Sequence, residues 1–355
     1  MQGTPERGPQ TRWIESLSPW PEEFGLDRMR SLLRALGDPQ TAYPAVHVVG
    51  SKGKSTATRT VAALLRADGL HVGAYTSPHV SGWSERIHVD GVDADFERAL
   101  GRVRAAAEAV DATQFEALTA AALTEFAAAG IDVAVVEAGL GGRLDATNVV
   151  AARVVLLTNV GREHADVLGD TPEEIAREKL AVAHSARVVV LPDDEFATLV
   201  PSGRVVLGGA REAAEAFVGH RIEAEFTVRL PGRLERRDGE VRDGAHTPEA
   251  VDWLLPRLPR EDYAVCASIL ADKDADAVLA RLARAGRTLV ATQSSNPRSL
   301  PAEELADRAR PYYEHVEAVA DPRAALARAR KLAGSDGAVL VTGSLYLLAD
   351  LHSVP

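Results

Sequence analysis

Short apolar runs alternate with longer amphipathic stretches along most of this chain. The strand-like runs are 46–49, 133–136, 154–157 and 188–191, and their near-continuous apolar character fits strands covered on both faces. Helical spacing separates them at 55–66, 95–109, 115–128 and 172–184. This alternation predicts a doubly wound α/β domain, with the loops after the strands gathered on one sheet edge. At 235–240 the chain reads Glu-Arg-Arg-Asp-Gly-Glu, and this charged stretch is expected to be a linker. A second α/β pattern follows, with helices at 248–258, 276–285, 302–308 and 324–332. Its strands fall at 264–269, 288–292, 315–320 and 338–341. Two domains are therefore expected, 1–237 and a smaller 238–355. The second has no G-x-G-x-x-G, so its Rossmann-like pattern does not imply a dinucleotide.

The first strand runs into Gly50-Ser51-Lys52-Gly53-Lys54-Ser55-Thr56, and a helix follows. A strand that turns through glycines into a helix aims backbone N–H groups at one point. The helix dipole and the Lys54 ammonium add positive potential there. Phosphates suit that geometry, so ATP is the expected ligand of Gly50, Ser51, Gly53, Lys54, Ser55 and Thr56. The usual P-loop has a further glycine where this chain has Val48. A plain tight strand–helix turn is the alternative.

Composition narrows the function. A net charge of −11 with no basic stripe argues against a nucleic-acid partner. Cys266, the single cysteine, lies in an apolar run and reads as a small buried hydrophobe. Residues 1–16 are polar and lack a signal-peptide core, and no apolar stretch is long enough to span a membrane. A cytoplasmic, monomeric protein is expected.

Three loops carry candidate chemistry. Glu137 ends an apolar strand where doubly wound folds place their ligands; it is either a Mg²⁺ ligand or a solvated strand-end acid. After it, Gly139, Gly141 and Gly142 leave room for a ligand's close approach, with Arg143 and Asp145 as charged handles. His164, in the loop after strand 154–157, is either a metal ligand or a capped loop histidine.

Together these segments resemble the Mur ligase superfamily, and more closely the folylpolyglutamate synthases and bifunctional dihydrofolate/folylpolyglutamate synthases. The family's G-T-N-G-K-G-S is similar to 50–56, and its T-S-P-H stands as Thr76-Ser77-Pro78-His79. Its E-x-G-x-G-G-R-x-D-A-T-N is complete over 137–148. Its T-N-[IV]-G-x-D-H element matches from Thr158, with Glu163 for Asp. Pro231-Gly232-Arg233 and Asp243-Gly244-Ala245-His246-Thr247-Pro248 follow in the family's order.

The resemblance implies a P-loop-type ATPase domain of the Mur-ligase central type, followed by a C-terminal glutamate-ligase domain. The implied activity is ATP-dependent addition of L-glutamate to a folate through an acyl phosphate, with dihydropteroate as a second acceptor to be tested. Lys54 would hold the β/γ-phosphates, and Ser77, Glu137 and His164 would form the magnesium site. Lys179 matches a lysine that is often carbamylated; a solvent-facing helix lysine is the alternative. Arg233, Asp243 and His246 would approach the nucleotide and the reacting phosphate, with helix capping the alternative for His246. Ser51-Lys52 in place of Thr-Asn, and Thr247 in place of Asn, depart from the family pattern. Two other readings stay open: another Mur-type amide ligase acting on a different carboxylate, and a nucleotide-binding module without catalysis. A muropeptide-building ligase usually carries a substrate domain ahead of its ATP loop, and only 49 residues precede Gly50.

Overall fold

The computed structural model describes residues 8–161, 165–237, 239–260, 262–335 and 337–352, with backbone only at 165 and 166. The chain forms two compact units. One comprises 1–79 and 83–228, the other 80–82 and 229–355.

The first unit is built on eight strands: β1 (Ala45–Val49), β2 (Val72–Tyr75), β3 (Ile87–Val89), β4 (Val92–Asp93), β5 (Val133–Glu137), β6 (Ala152–Leu157), β7 (Val188–Leu191) and β8 (Arg204–Leu207). Their order is β4-β3-β2-β5-β1-β6-β7-β8, parallel except for the β2–β3–β4 meander. Its helices are α1 (Pro9–Ser16), α2 (Asp27–Ala35), α3 (Lys54–Ala67), α4 (Phe96–Ala109), α5 (Gln114–Ala129), α6 (Ala165–Leu168), α7 (Pro172–Leu180) and α8 (Ala210–Val218).

Side chains alternate across each strand, so β1 feeds two cores. Val46 and Val48 pack with α3 and α8 on one face. On the other, Ala45 joins the core of α1, α2, α4 and α5, and Val49 joins that of α7. β1 lies between β5 and β6, where the strand order reverses. The loops after these three strands therefore meet at the crevice such sheets use for ligands.

The second unit has β9 (Glu235–Arg237), β10 (Glu240–Arg242), β11 (Ala264–Ala267), β12 (Thr288–Ala291), β13 (His315–Ala318) and β14 (Val339–Thr342), in the order β13-β12-β11-β14-β10-β9. α9 (Pro248–Leu254), α10 (Ala275–Leu282) and α11 (Ala302–Ala309) cover one face. α12 (Pro322–Ala333), α13 (Leu345–His352) and the inserted Val80 cover the other. The charged stretch expected to be a linker is instead the antiparallel β9–β10 hairpin. Its inner charges pair with each other: Glu240 and Arg242, both buried, lie 3.0 Å apart. Cys266 is fully buried as expected, and burial pushes its thiol up to about 12. Among the described residues, no helix is long and apolar enough to cross a membrane.

Candidate active site

β1 delivers the phosphate loop to the carboxyl edge of the sheet. Gly50 (φ 144°) and Gly53 (φ 78°) both adopt backbone conformations that side chains disfavour, and α3 starts at Lys54. The loop is shaped from outside by the end of β6. Asn159 Oδ1 accepts the N–H groups of Ser51 (3.2 Å) and Lys52 (2.9 Å), and Asn159 Nδ2 and Thr158 Oγ1 donate to the Lys52 carbonyl. Glycine at 50 is required because a Cβ there would lie 2.0 Å from Thr158 Oγ1. The sequence showed Thr158-Asn159 after a strand, but not which loop it clamps. Lys54 Nζ donates to the Gly50 carbonyl at 2.9 Å. Thr56 lies exposed in the first turn of α3.

β5 brings Glu137 beside this loop. Its carboxylate is buried, which rules out the solvated strand-end alternative. Oε1 accepts the Ser55 hydroxyl at 2.9 Å, and Oε2 accepts the Ser77 N–H at 2.9 Å. Ser55 Oγ also lies 3.5 Å from the Ser77 carbonyl. Ser55, Ser77 and Glu137 thus converge from the first turn of α3, the loop after β2 and the end of β5. Carboxylate, hydroxyl and carbonyl oxygens are the hard donors that Mg²⁺ takes, so this set fits that ion. His164 lies outside the described residues.

Lys179 is buried at 1% exposure, which rules out a solvent-facing lysine. Its Nζ donates to the Gly50 carbonyl at 3.1 Å, the same oxygen that Lys54 caps. The loop after Glu137 docks on this end of α7. A Cβ at Gly142 would lie 2.6 Å from the Lys179 carbonyl, and Arg143 N–H donates to the Glu178 carbonyl. Gly139 packs against Phe115 and Gly141 against Leu168. These three glycines therefore serve packing within the protein rather than the approach of a ligand. Asp145 is buried and is no exposed handle. Its Oδ2 accepts the Leu140 N–H and its Oδ1 accepts the Thr147 N–H and hydroxyl. Arg143 pairs with Glu178 at 2.8 Å.

Arg233, Asp243 and His246 belong to the second unit. Asp243, buried, accepts the N–H groups of Leu234 (2.7 Å) and Ala245 (2.9 Å). Arg233 Nη1 lies near the Gly232 carbonyl at 3.4 Å. His246 Nδ1 meets the Gly244 carbonyl at 2.7 Å, which fixes the proton on Nδ1. The cap of α9 is Thr247, not His246.

A glycine-rich loop opening a helix, beside buried oxygen donors in a doubly wound sheet, defines a nucleotide-dependent α/β enzyme. Residues 48–227 match the Mur ligase middle domain, and 232–345 match the Mur ligase glutamate ligase domain. The chain belongs to the Mur ligase family, among its folylpolyglutamate and dihydrofolate synthases. A Haloferax volcanii protein named probable bifunctional folylpolyglutamate synthase/dihydropteroate synthase is 34% identical over 93% of this chain, which spans 48% of that protein's length. The dihydrofolate synthase/folylpolyglutamate synthase of Mycobacterium tuberculosis is 32% identical over 81% of this chain and 78% of its own. The solved structure of M. tuberculosis folylpolyglutamate synthase complexed with ADP superposes with a TM-score of 0.87 at 27% identity, over 97% of each chain.

Proposed function

We propose that this chain joins L-glutamate to the carboxylate of a folate, with cleavage of ATP to ADP and phosphate. The observation that carries the reading is the convergence of Lys54, Ser55, Ser77 and Glu137 at one phosphate loop, in a chain of this family. ATP and Mg²⁺ are the cofactors. The first unit, 1–79 and 83–228, is the ATP-binding domain and the second, 80–82 and 229–355, the glutamate-ligase domain; the sequence-based boundary between 237 and 238 falls inside the β9–β10 hairpin of the second unit.

A carboxylate resists attack by an amine because its leaving group is poor. In the proposed reaction a folate carboxylate oxygen attacks the γ-phosphorus and ADP leaves. The glutamate amine then attacks the acyl carbon, phosphate leaves, and the amine proton passes to solvent. The backbone N–H groups of 50–56 and the Lys54 ammonium would hold the phosphates in line. Ser55, Ser77 and Glu137, with His164, would hold Mg²⁺, which supplies neutralising charge to the phosphate oxygens. Lys179 would support the site from behind the loop. Arg233, Asp243 and His246 are assigned to the nucleotide and the reacting phosphate.

Dihydropteroate presents the same carboxylate chemistry and is the second proposed acceptor. The test is a panel of dihydropteroate, tetrahydrofolate and its methylene form, each with ATP, Mg²⁺ and labelled glutamate. A product heavier by one glutamyl group is expected. ATP turnover with none of these acceptors would overturn the proposal, as would a folded Lys54→Ala variant with full activity.

A further inference from the structure

His47 sits at the centre of β1, fully buried, three residues before the phosphate loop. Its Nε2 lies 2.8 Å from Thr147 Oγ1. That hydroxyl also contacts Asp145 Oδ1; burial raises the Asp145 carboxyl, but the Thr147 hydroxyl and the N–H groups of Leu140, Thr147 and Gly139 all aim at it and favour its charged form, which only accepts. The Thr147 proton therefore goes to Asp145, and Thr147 accepts from His47. The imidazole is fixed as the neutral Nε2–H tautomer, and its Nδ1 has no partner among the described residues. Burial keeps the ring uncharged, at about 3, with His184 adding to the effect.

The series continues beyond Asp145. Its second oxygen holds Leu140 N–H at 2.8 Å, next to the stretch in which Gly142 and Arg143 seat on the carbonyls of Lys179 and Glu178. The buried hydrogen bonds thus run from β1, through Thr147 and Asp145, to the loop that links Glu137 to the end of α7. A core position on a central strand is ordinarily apolar, and a valine there would leave the Thr147 hydroxyl without its donor. We propose that His47 is a positioning residue: acting through Thr147 and Asp145, it fixes the glycine loop and so sets Glu137 and Lys179 against the phosphate loop. This rests on the ligase reading, because it is that reading which gives Glu137 and Lys179 their task.

The test compares His47→Leu, which removes the donor, with His47→Gln, whose amide N–H can replace it. In His47→Leu, kcat should fall and the Mg²⁺ concentration for half-maximal rate should rise, each about tenfold, as for lost outer-shell partners of metal ligands. The KM for ATP should stay close to that of the wild type. His47→Gln should restore both values to nearly wild type. Mn²⁺ binding to the complex with a non-hydrolysable ATP analogue reads the same support without turnover and should weaken in step. A folded His47→Leu with wild-type kcat and metal response overturns the inference, and so does a His47→Gln as impaired as His47→Leu. If His47→Leu does not fold, Thr147→Val against Thr147→Ser makes the same comparison one link further on, with the same expected and contrary results. An inactive wild type would sink the ligase reading instead, and Mn²⁺ binding would still decide the role of His47.

Discussion

Ser55 Oγ and Glu137 Oε1 are 2.9 Å apart although 82 residues separate them in the chain. The contact joins the first turn of α3 to the end of β5, and it holds a hydroxyl and a carboxylate where a divalent cation would meet a nucleotide. Ser55→Ala and Glu137→Gln should each weaken Mg²⁺ dependence and turnover by about 10–100-fold. Because the two groups touch, the double variant should lose less than the product of the single losses. Mg²⁺ titrations of ADP release for the three variants check this; strictly multiplicative losses would mean that the two residues act apart.

The position of Lys179 makes a second expectation specific. Its ammonium lies against the carbonyl of Gly50, in the interior. Carbamylation would exchange that cation for an anion able to ligate a metal. Activity should therefore fall in buffer stripped of carbon dioxide and return on adding bicarbonate. Lys179→Ala should be impaired and should show no response to bicarbonate. An identical response in that variant would assign the effect to another group.

Gly50→Ala tests the clamp on the phosphate loop. The new methyl would meet Thr158 Oγ1 at 2.0 Å, on a backbone with φ 144°. A cost of about 1–3 kcal/mol in stability is expected from overpacking. ATP binding should weaken as well, because Ser51 and Lys52 are held by the adjacent Asn159. Urea unfolding and nucleotide titration measure the two effects.

Acid should destabilise the protein through three histidines: His47, His79 and His88, the last lowered to about 4 by burial and by Arg59. Burial lowers both His47 and His79 from 6.5 to about 3, with Arg86 adding to the effect at His79. The unfolded chain takes up these protons below pH 6.5 and the folded chain does not until about pH 3, or about pH 4 for His88. Their contribution is therefore complete above pH 6.5 and is lost as pH falls through that window. Each costs up to about 1.4 kcal/mol per pH unit inside it. His71 and His220, raised by Asp90 and Asp68, act in the opposite sense and are common to both proteins of the comparison. Between pH 7 and 5.5, His47→Gln should lose less stability than the wild type in urea melts; equal losses would exclude His47 as a source.

The parts legible in the sequence were those whose signal is local. Uninterrupted apolar runs marked β5, β6 and β7, and a glycine–lysine string after a strand marked the phosphate loop. What escaped depends on partners distant in the chain. Thr158 and Asn159 stood out as part of a family segment, but their clamp on Lys52, more than 100 residues earlier, did not. The charged stretch 235–240 read as a linker, yet it belongs to the β9–β10 hairpin, where Glu240 is buried against Arg242. The glycines at 139, 141 and 142 suggested space for a ligand, whereas Phe115, Leu168 and the Lys179 carbonyl fill that space. Short strands also escaped: in β2, Gly73 packs against the Phe126 ring, and no β-branched run announces it.

The small insertion at Val80 governs how this protein can be cut. The backbone passes from one unit to the other after His79, after Gly82 and after Val228. Val80 is 4% exposed and packs with Cys266, Leu347 and Leu348. A fragment beginning at residue 229 would therefore be missing a plug from its own interior. Such a fragment should be poorly soluble, and a synthetic peptide spanning this insertion should improve its recovery. For this chain, a single scissile site does not yield two self-sufficient halves.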